Sequence, residues 1–430
     1  MGRLKIVYPV CCGMDVHRDF LIACIAATNA QGVTEYQSRR FSTYTGSLRE
    51  LRDWLLANDC KDVCMESTGK YWFPVHNILE ESCHVVVSHP KFVKAIKGKK
   101  TDKKDAQWIA DLFKHDLVRG SFIPPKDIRQ LRDLCRYWVK LSSYMTGEKN
   151  RAQNCLTVSN FKLDDVFSNV FGKSASAITT QLLEHPGEQF DVAPFVDGRC
   201  KTPIAQIQEA VDGIFTYEQA EKLKIIRGHM DSLERHKAEL ESLILEIAQN
   251  YLPQIELLLT VPGIHDAFTA IRILAEIGAD MTVFDTSKHL CSWAGLTPQN
   301  AESAGKKKTT RIGKSGAYLK PLLIQVALAA SRGEKHPEIY GKKQALQKRR
   351  GKKKSHSCHC QETLNRHLPY SKQERAVQSC CLHPGRQESY GPPDLPRESL
   401  RDACSNGLYC FKPFSVVLVR IASHPRFLTA

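Results

Sequence analysis

The chain has 430 residues, 42% of them hydrophobic and 25% charged, and 61 Lys and Arg against 46 Asp and Glu give a formal net charge of +15. That length suits two or three domains with sizeable cores, and the composition is that of an ordinary globular protein rather than a disordered or fibrous one. No stretch approaches the roughly 18 uncharged apolar residues of a membrane span, and the opening MGRLKIVYPVCCGMD meets Asp15 before any long apolar signal core forms, which argues against a membrane or secreted protein.

Residues 8–90 alternate β-rich runs with amphipathic helical stretches. YPVCCGMDV and DFLIACIAA read as adjacent strands, and VTEYQSRRFST as a third with polar–apolar alternation. GSLRELRDWLLAND places Leu48, Leu51, Trp54 and Leu55 on one helical face. KDVCMES then reads as a strand, a helix follows near Phe73–Glu81, CHVVVSHP is a further strand, and a helix begins at about Thr101. An antiparallel start followed by alternating strands and helices describes an α/β layer domain with a mixed sheet.

From Tyr217 to Ala248 the pattern changes. Ile226, Leu233, Leu240 and Ile247 recur every seven residues, interleaved with Leu223, Met230, Lys237 and Ile244, which is the seam of a coiled coil with one lysine in it. A long helix packed on its own domain is the alternative. Residues 255–335 then read as a second, largely helical unit. It opens with LLLTVPGIHDAFTAIRILAEIG, a helix-hairpin-helix-like pattern whose turn can offer backbone N–H groups to a phosphate, although ordinary αα-hairpins look the same.

Asp15 and Glu66 each end an apolar strand, and Asp102 and Asp105 lie three apart in KKTDKKDAQWIADL, where Thr101 can cap the helix. Four acids gathered in one α/β domain repel one another unless cations neutralise them, and hard oxygen ligands suit Mg²⁺ or Mn²⁺, the usual device for phosphodiester cleavage. On the alternative reading, Asp102 and Asp105 only favour the helix dipole and the other two sit in turns.

Basic residues surround these acids. Lys91, Lys94, Lys97, Lys99, Lys100, Lys103 and Lys104 flank the acidic pair, Lys306, Lys307, Lys308, Arg311, Lys314 and Lys320 lie in the second unit, and a third cluster runs from Lys342 to Lys354. A charge run is often just a solvated face, but three of them beside an acidic cluster make nucleic acid the expected partner.

The strings GMDVH, MESTGKYW, KTDKKDA, TVPGI, WAGLTPQNAESAGKKKTTRIGKSG and YLKPLLIQVALAA occur in that order. Over residues 8–354 the chain resembles the DEDD-type transposases of insertion sequence family 110, recombinases guided by a structured bridge RNA. The resemblance implies an RNase H-like (RuvC-like) N-terminal domain, a coiled coil, and a helical C-terminal transposase domain. The corresponding expected boundaries are 1–150, 151–250 and 251–354. It maps the acidic tetrad onto Asp15, Glu66, Asp102 and Asp105, and a nucleophilic serine onto Ser303, where this chain reads ESAG and the family usually shows ESGS. It further implies Mg²⁺ or Mn²⁺, a phosphoserine intermediate that conserves bond energy, DNA and a guide RNA as partners, and a dimer or tetramer formed through the coiled coil. The tetrad and Ser303 would act in a composite site, and the protein would work in the bacterial cytoplasm with the nucleoid. The alternatives are a junction endonuclease without serine chemistry and a non-catalytic nucleic-acid-binding protein.

Sixteen cysteines divide into ten over residues 1–354, mostly in apolar strings, and six in residues 355–430 (Cys358, Cys360, Cys380, Cys381, Cys404 and Cys410). The ten read as small buried hydrophobes in a reducing compartment. His356, Cys358, His359 and Cys360 are packed too closely for the usual zinc spacing. His356–Lys372 can be encoded so that a start one nucleotide later reads Ile-Leu-Ala-Ile-Ala-Arg-Lys-Leu-Leu-Thr-Ala-Ile-Tyr-His-Ile-Leu, an apolar helix. Residues 355–430 are therefore expected to be an accidental, frameshifted translation. The loss of the helix they replace would expose apolar surface around Leu319–Ala330 and leave the copy unstable or inactive.

Overall fold

The computed structural model describes residues 4–67, 69–93, 101–297, 301–303, 306–309, 316–332 and 336–351. The frameshifted segment expected at 355–430 and its His/Cys cluster lie outside these residues. The chain divides into two compact units, the first ending at Arg129 and the second beginning at Gln130.

The first unit is built on a five-stranded sheet: β1 (Val10–Val16), β2 (Phe20–Thr28), β3 (Thr34–Ser42), β4 (Asp62–Glu66) and β5 (His84–Ser88). Their order is β3-β2-β1-β4-β5, with β1–β2 and β2–β3 antiparallel and β1–β4 and β4–β5 parallel. This is the mixed sheet expected of an RNase H-like domain. The helices are α1 (Thr45–Ala57), α2 (Trp72–Leu79), the short α3 (Pro90–Val93) and α4 (Asp102–Lys114), with α5 (Lys126–Val158) leading out of the unit.

Strand periodicity sorts the side chains of β1 between two layers. Cys12, Met14 and Val16 face one core with Leu48, Leu51 and Leu55 of α1 and Val75 and Leu79 of α2. Cys11 faces the other core with Ile109, Ala110 and Phe113 of α4. Gly13 shares that second side, and a Cβ there would overlap the backbone of Ala106 and Ala110. The edge strand β3 is largely exposed, with Phe41 its one buried residue.

The second unit continues α5 and adds α6 (Leu163–Val166), α7 (Lys173–Glu184), α8 (Ile204–Ala210) and α9 (Tyr217–Ala248). The heptad stretch is thus one 32-residue helix with Leu223, Ile226, Leu233, Leu240 and Ile244 buried. Its partner among the described residues is α5 of the same chain, running antiparallel. Leu156 packs with Leu223 and Ile226, Glu148 accepts from His229 Nδ1 at 3.0 Å, and Trp138 Nε1 donates to Glu241 at 2.7 Å. Lys237, the seam's odd residue, places its ammonium 4.8 Å from the centre of the Trp138 ring, and Arg272 places its guanidinium 5.0 Å from the same centre.

Beyond α9 come α10 (Leu252–Leu259), α11 (Ala267–Ile277), α12 (Ser287–Trp293), a two-stranded ladder of β6 (Ala301–Ser303) and β7 (Lys306–Thr309), α13 (Leu319–Ala330) and α14 (Pro337–Arg350). The expected helix–turn–helix is α10–α11. In its turn Gly263 holds φ +91°, a left-handed conformation that glycine adopts without steric cost, and packs on the backbone of α13. Asp266 already accepts the N–H of Thr269 at 2.7 Å, so that amide is not offered to an anion.

Buried Glu276 of α11 receives a bidentate clamp from Arg136, both contacts 2.7 Å, while Arg132 donates to the carbonyls of Ala275 and Glu276 at the end of the helix. The apolar exposure expected around Leu319–Ala330 does not occur. Leu319, Leu322, Leu323, Val326, Ala327 and Ala330 are all buried, and α13 packs on α11. The ten cysteines of residues 1–354 are free thiols, nine of them buried, with Cys200 the half-exposed exception. No helix among the described residues is long and apolar enough to cross a membrane.

Candidate active site

Helix and strand periods bring the acids together. Steps of two along β1 advance about 6.6 Å and steps of four along α4 advance about 6 Å, so the two elements stay in register as they cross. The Cys11 thiol reaches the Ala110 carbonyl at 3.6 Å, and Gly13 meets Ala106 and Ala110. One step further, Asp15 meets Asp102. Thr101 starts α4 by accepting the Lys104 N–H at 3.4 Å, and both Asp102 and Asp105 fall in its first turn.

Glu66 closes β4, one residue beyond the Met14–Met65 pair of the parallel β1–β4 ladder, which makes it the cross-strand neighbour of Asp15. Both methionines face the α1–α2 core, so Glu66 and Asp15 share the opposite face.

A residue that the sequence reading did not single out completes the cluster. His17 lies two residues beyond Asp15 on the same side of the chain, with Nε2 3.2 Å from Asp15 Oδ2 and 3.7 Å from Asp102 Oδ1. Ligand atoms of Asp15, His17 and Asp102 all lie within 4.8 Å of one another. The His17 Nε2 atom is buried and has no hydrogen-bond partner despite this proximity, because the 3.2 Å approach lacks hydrogen-bond geometry. The available signal is the strand's period of two, carried one residue past the end of β1.

Burial pushes the Asp15 carboxyl above its ordinary range; His17 opposes the shift, while Asp105, Asp102 and Glu66 add to it. Asp15 is only 15% exposed and Asp102 is 46% exposed, so the cluster opens to solvent on the helix side. Closely spaced carboxylate oxygens with an orphaned buried nitrogen among them fit a divalent cation.

In the second unit Ser303 lies on β6, where it is the ladder partner of Lys306, and Glu302 is the partner of Lys307. Ser303 therefore sits in a short antiparallel ladder whose other strand carries Lys306, Lys307 and Lys308. Around the acids, Lys103 and Lys104 are exposed on α4. Lys97, Lys99, Lys100, Arg311 and Lys314 lie outside the described residues.

A model of DEDD transposases of the IS110 group, described as "Transposase", matches residues 12–160. A second, described as "Transposase IS116/IS110/IS902 family", matches residues 255–341. The chain belongs to the IS110 family of transposases. The two matches together span more than half of this transposase and take in Asp15, Glu66, Asp102, Asp105 and Ser303. Such an enzyme acts on DNA. Among solved structures, Thermus thermophilus RuvC matches with 14% identity and a TM-score of 0.22, over 26% of this chain and 99% of that one. None of the curated proteins matches the transposase.

Proposed function

We propose that this transposase cuts and rejoins DNA strands with two sets of its own residues, a carboxylate cluster that holds Mg²⁺ or Mn²⁺ and the nucleophile Ser303. The observation that carries the reading is the convergence of Asp15, Asp102 and His17 within 4.8 Å, in a chain of this family. Asp15, Glu66, Asp102 and Asp105 are the residues that hold the metal, which supplies neutralising charge to the phosphate oxygens under attack.

A serine hydroxyl is a weak nucleophile and needs a polarised phosphate beside it. The Ser303 oxygen forms a bond to phosphorus as the strand's P–O bond breaks, and the serine's proton passes in net terms to the leaving oxygen. The phosphoserine keeps the energy of a phosphodiester, so a strand hydroxyl can attack it and restore both bonds without ATP. Lys103, Lys104, Lys306, Lys307 and Lys308, with Lys97, Lys99, Lys100, Arg311 and Lys314, neutralise the DNA backbone.

Target choice belongs to a structured guide RNA on this reading, and α9 contributes to assembly of a dimer or tetramer. Residues 355–430 are out-of-frame translation, a point the gene's nucleotide sequence tests. Codons that break the apolar helix in the shifted frame would overturn it.

Strand-exchange assays on parent, Asp102→Ala and Ser303→Ala proteins test the function. Both variants are expected to lose strand exchange. Continued metal-dependent cleavage by Ser303→Ala would instead favour a junction endonuclease.

A further inference from the structure

We infer that His17 is itself a metal ligand of this site, adding one imidazole nitrogen to the carboxylate oxygens of Asp15 and Asp102. This rests on the metal-holding role proposed above for the acidic cluster and adds a donor of a different chemical kind to it.

Three observations carry the inference. The first is spacing. Ligands held about 2.1 Å from one ion at right angles sit about 3 Å apart, and opposed ligands a little over 4 Å apart. The 3.2 Å and 3.7 Å separations of His17 Nε2 from its two carboxylate neighbours fall in that range. The second is the state of the nitrogen. Nε2 is buried, although the side chain as a whole is 41% exposed, and it makes no hydrogen bond to the two carboxylate oxygens beside it, an arrangement that suits a nitrogen facing a shared cation.

The third is the way the ring is held. The His17 backbone N–H donates to the Phe20 carbonyl at 2.9 Å, closing the turn between β1 and β2. The imidazole lies against the Phe20 ring, centroids 4.9 Å apart, and the Arg40 guanidinium sits 4.0 Å from the centre of that ring. This tilted contact, 38° between the ring planes, narrows the orientations open to the imidazole.

A mixed nitrogen–oxygen donor set has a consequence for ion choice. Mg²⁺ favours oxygen ligands in a near-ideal octahedron, whereas imidazole suits later and softer divalent ions. His17 therefore biases the site towards Mn²⁺ relative to Mg²⁺.

Pulsed electron paramagnetic resonance of Mn²⁺ bound to the full chain reads the nitrogen directly, without reference to DNA cleavage. The parent is expected to show ¹⁴N coupling to the ion. His17→Gln is expected to lose that coupling and to bind Mn²⁺ about tenfold more weakly, the lower end of the scale seen when a metal-site partner is removed. His17→Glu, which returns an oxygen donor, is expected to recover Mn²⁺ affinity without the ¹⁴N signal, showing that the fold survives the change. Coupling that persists in His17→Gln overturns the inference. So does its absence from a parent protein whose Mn²⁺ affinity still falls with Asp15→Asn, and that result leaves the carboxylate site standing. Mn²⁺ binding indifferent to both Asp15→Asn and Asp102→Asn would remove the carboxylate site and His17's role with it.

Discussion

Gly13 of β1 lies directly on Ala110 of α4, so close that a Cβ on Gly13 would overlap the Ala110 amide nitrogen and the Ala106 carbonyl oxygen. This contact sets the distance between strand and helix, and through the matched steps of two and four it sets the distance between Asp15 and Asp102. The site's geometry is thus fixed two residues away from its chemistry, by the absence of a side chain.

Gly13→Ala is therefore expected to destabilise the protein by about 1–3 kcal/mol, the range for forcing extra atoms into a packed interior, and to weaken Mn²⁺ binding. Gly46→Ala is the control, since a Cβ at Gly46 meets nothing within 4 Å. Urea unfolding of both variants, with Mn²⁺ titration, checks the pair. Equal stability for the two would remove the close-approach explanation.

The metal-free protein carries a pH signature. Asp15 holds its proton more tightly in the folded protein than in the unfolded chain, because burial raises its carboxyl, with His17 opposing and Asp105, Asp102 and Glu66 adding. A raised carboxyl contributes stability below the unfolded value and loses it as pH climbs through the folded one. Asp15→Asn is accordingly expected to melt above the parent near neutral pH without divalent metal, and the two melting temperatures are expected to converge as pH falls to about 4. Adding Mn²⁺ should raise the parent more than the variant.

In the second unit, Arg136→Ala leaves the buried Glu276 carboxylate without its bidentate partner. Arg136 is 40% exposed and the carboxylate 9%, so the loss is expected at about 1.5–3 kcal/mol, the scale of a hydrogen bond to a charged group, rather than the larger figure for a fully buried pair. Denaturant unfolding measures it. Arg136→Lys should recover only part of the loss, because an ammonium does not reproduce the two parallel contacts.

Lys103→Ala and Lys104→Ala test the basic face of α4. Each is expected to weaken DNA binding to a similar extent across unrelated sequences and to lower the slope of log affinity against log salt by about one. Binding isotherms at several salt concentrations read both effects, and an unchanged slope would take the two lysines off the DNA.

Local signals in the sequence carried much of this arrangement. Strands ending in Asp15 and Glu66, a Thr101-capped helix with two acids in its first turn, and the seam of Ile226, Leu233 and Leu240 are all patterns within a few residues. What lay beyond reach depends on distant pairing. Lys237 interrupts the apolar seam, and the aromatic face that receives it belongs to Trp138, nearly a hundred residues away. The cover over Leu319–Ala330 is likewise set by the folded unit. His17 is a nearer case, since it follows directly on β1 two residues beyond Asp15, where the strand's alternation, carried one residue further, puts both on the same side.

The most direct test of the serine–metal chemistry is to trap the protein on labelled element-end DNA with Mg²⁺ or Mn²⁺, denature it, and map any covalently attached nucleotide by mass spectrometry. The expected result is an adduct on the peptide containing Ser303, lost in Ser303→Ala, in Asp102→Ala and on chelation of the metal. Metal-dependent strand cleavage with no adduct, or an adduct that survives Ser303→Ala, would contradict it.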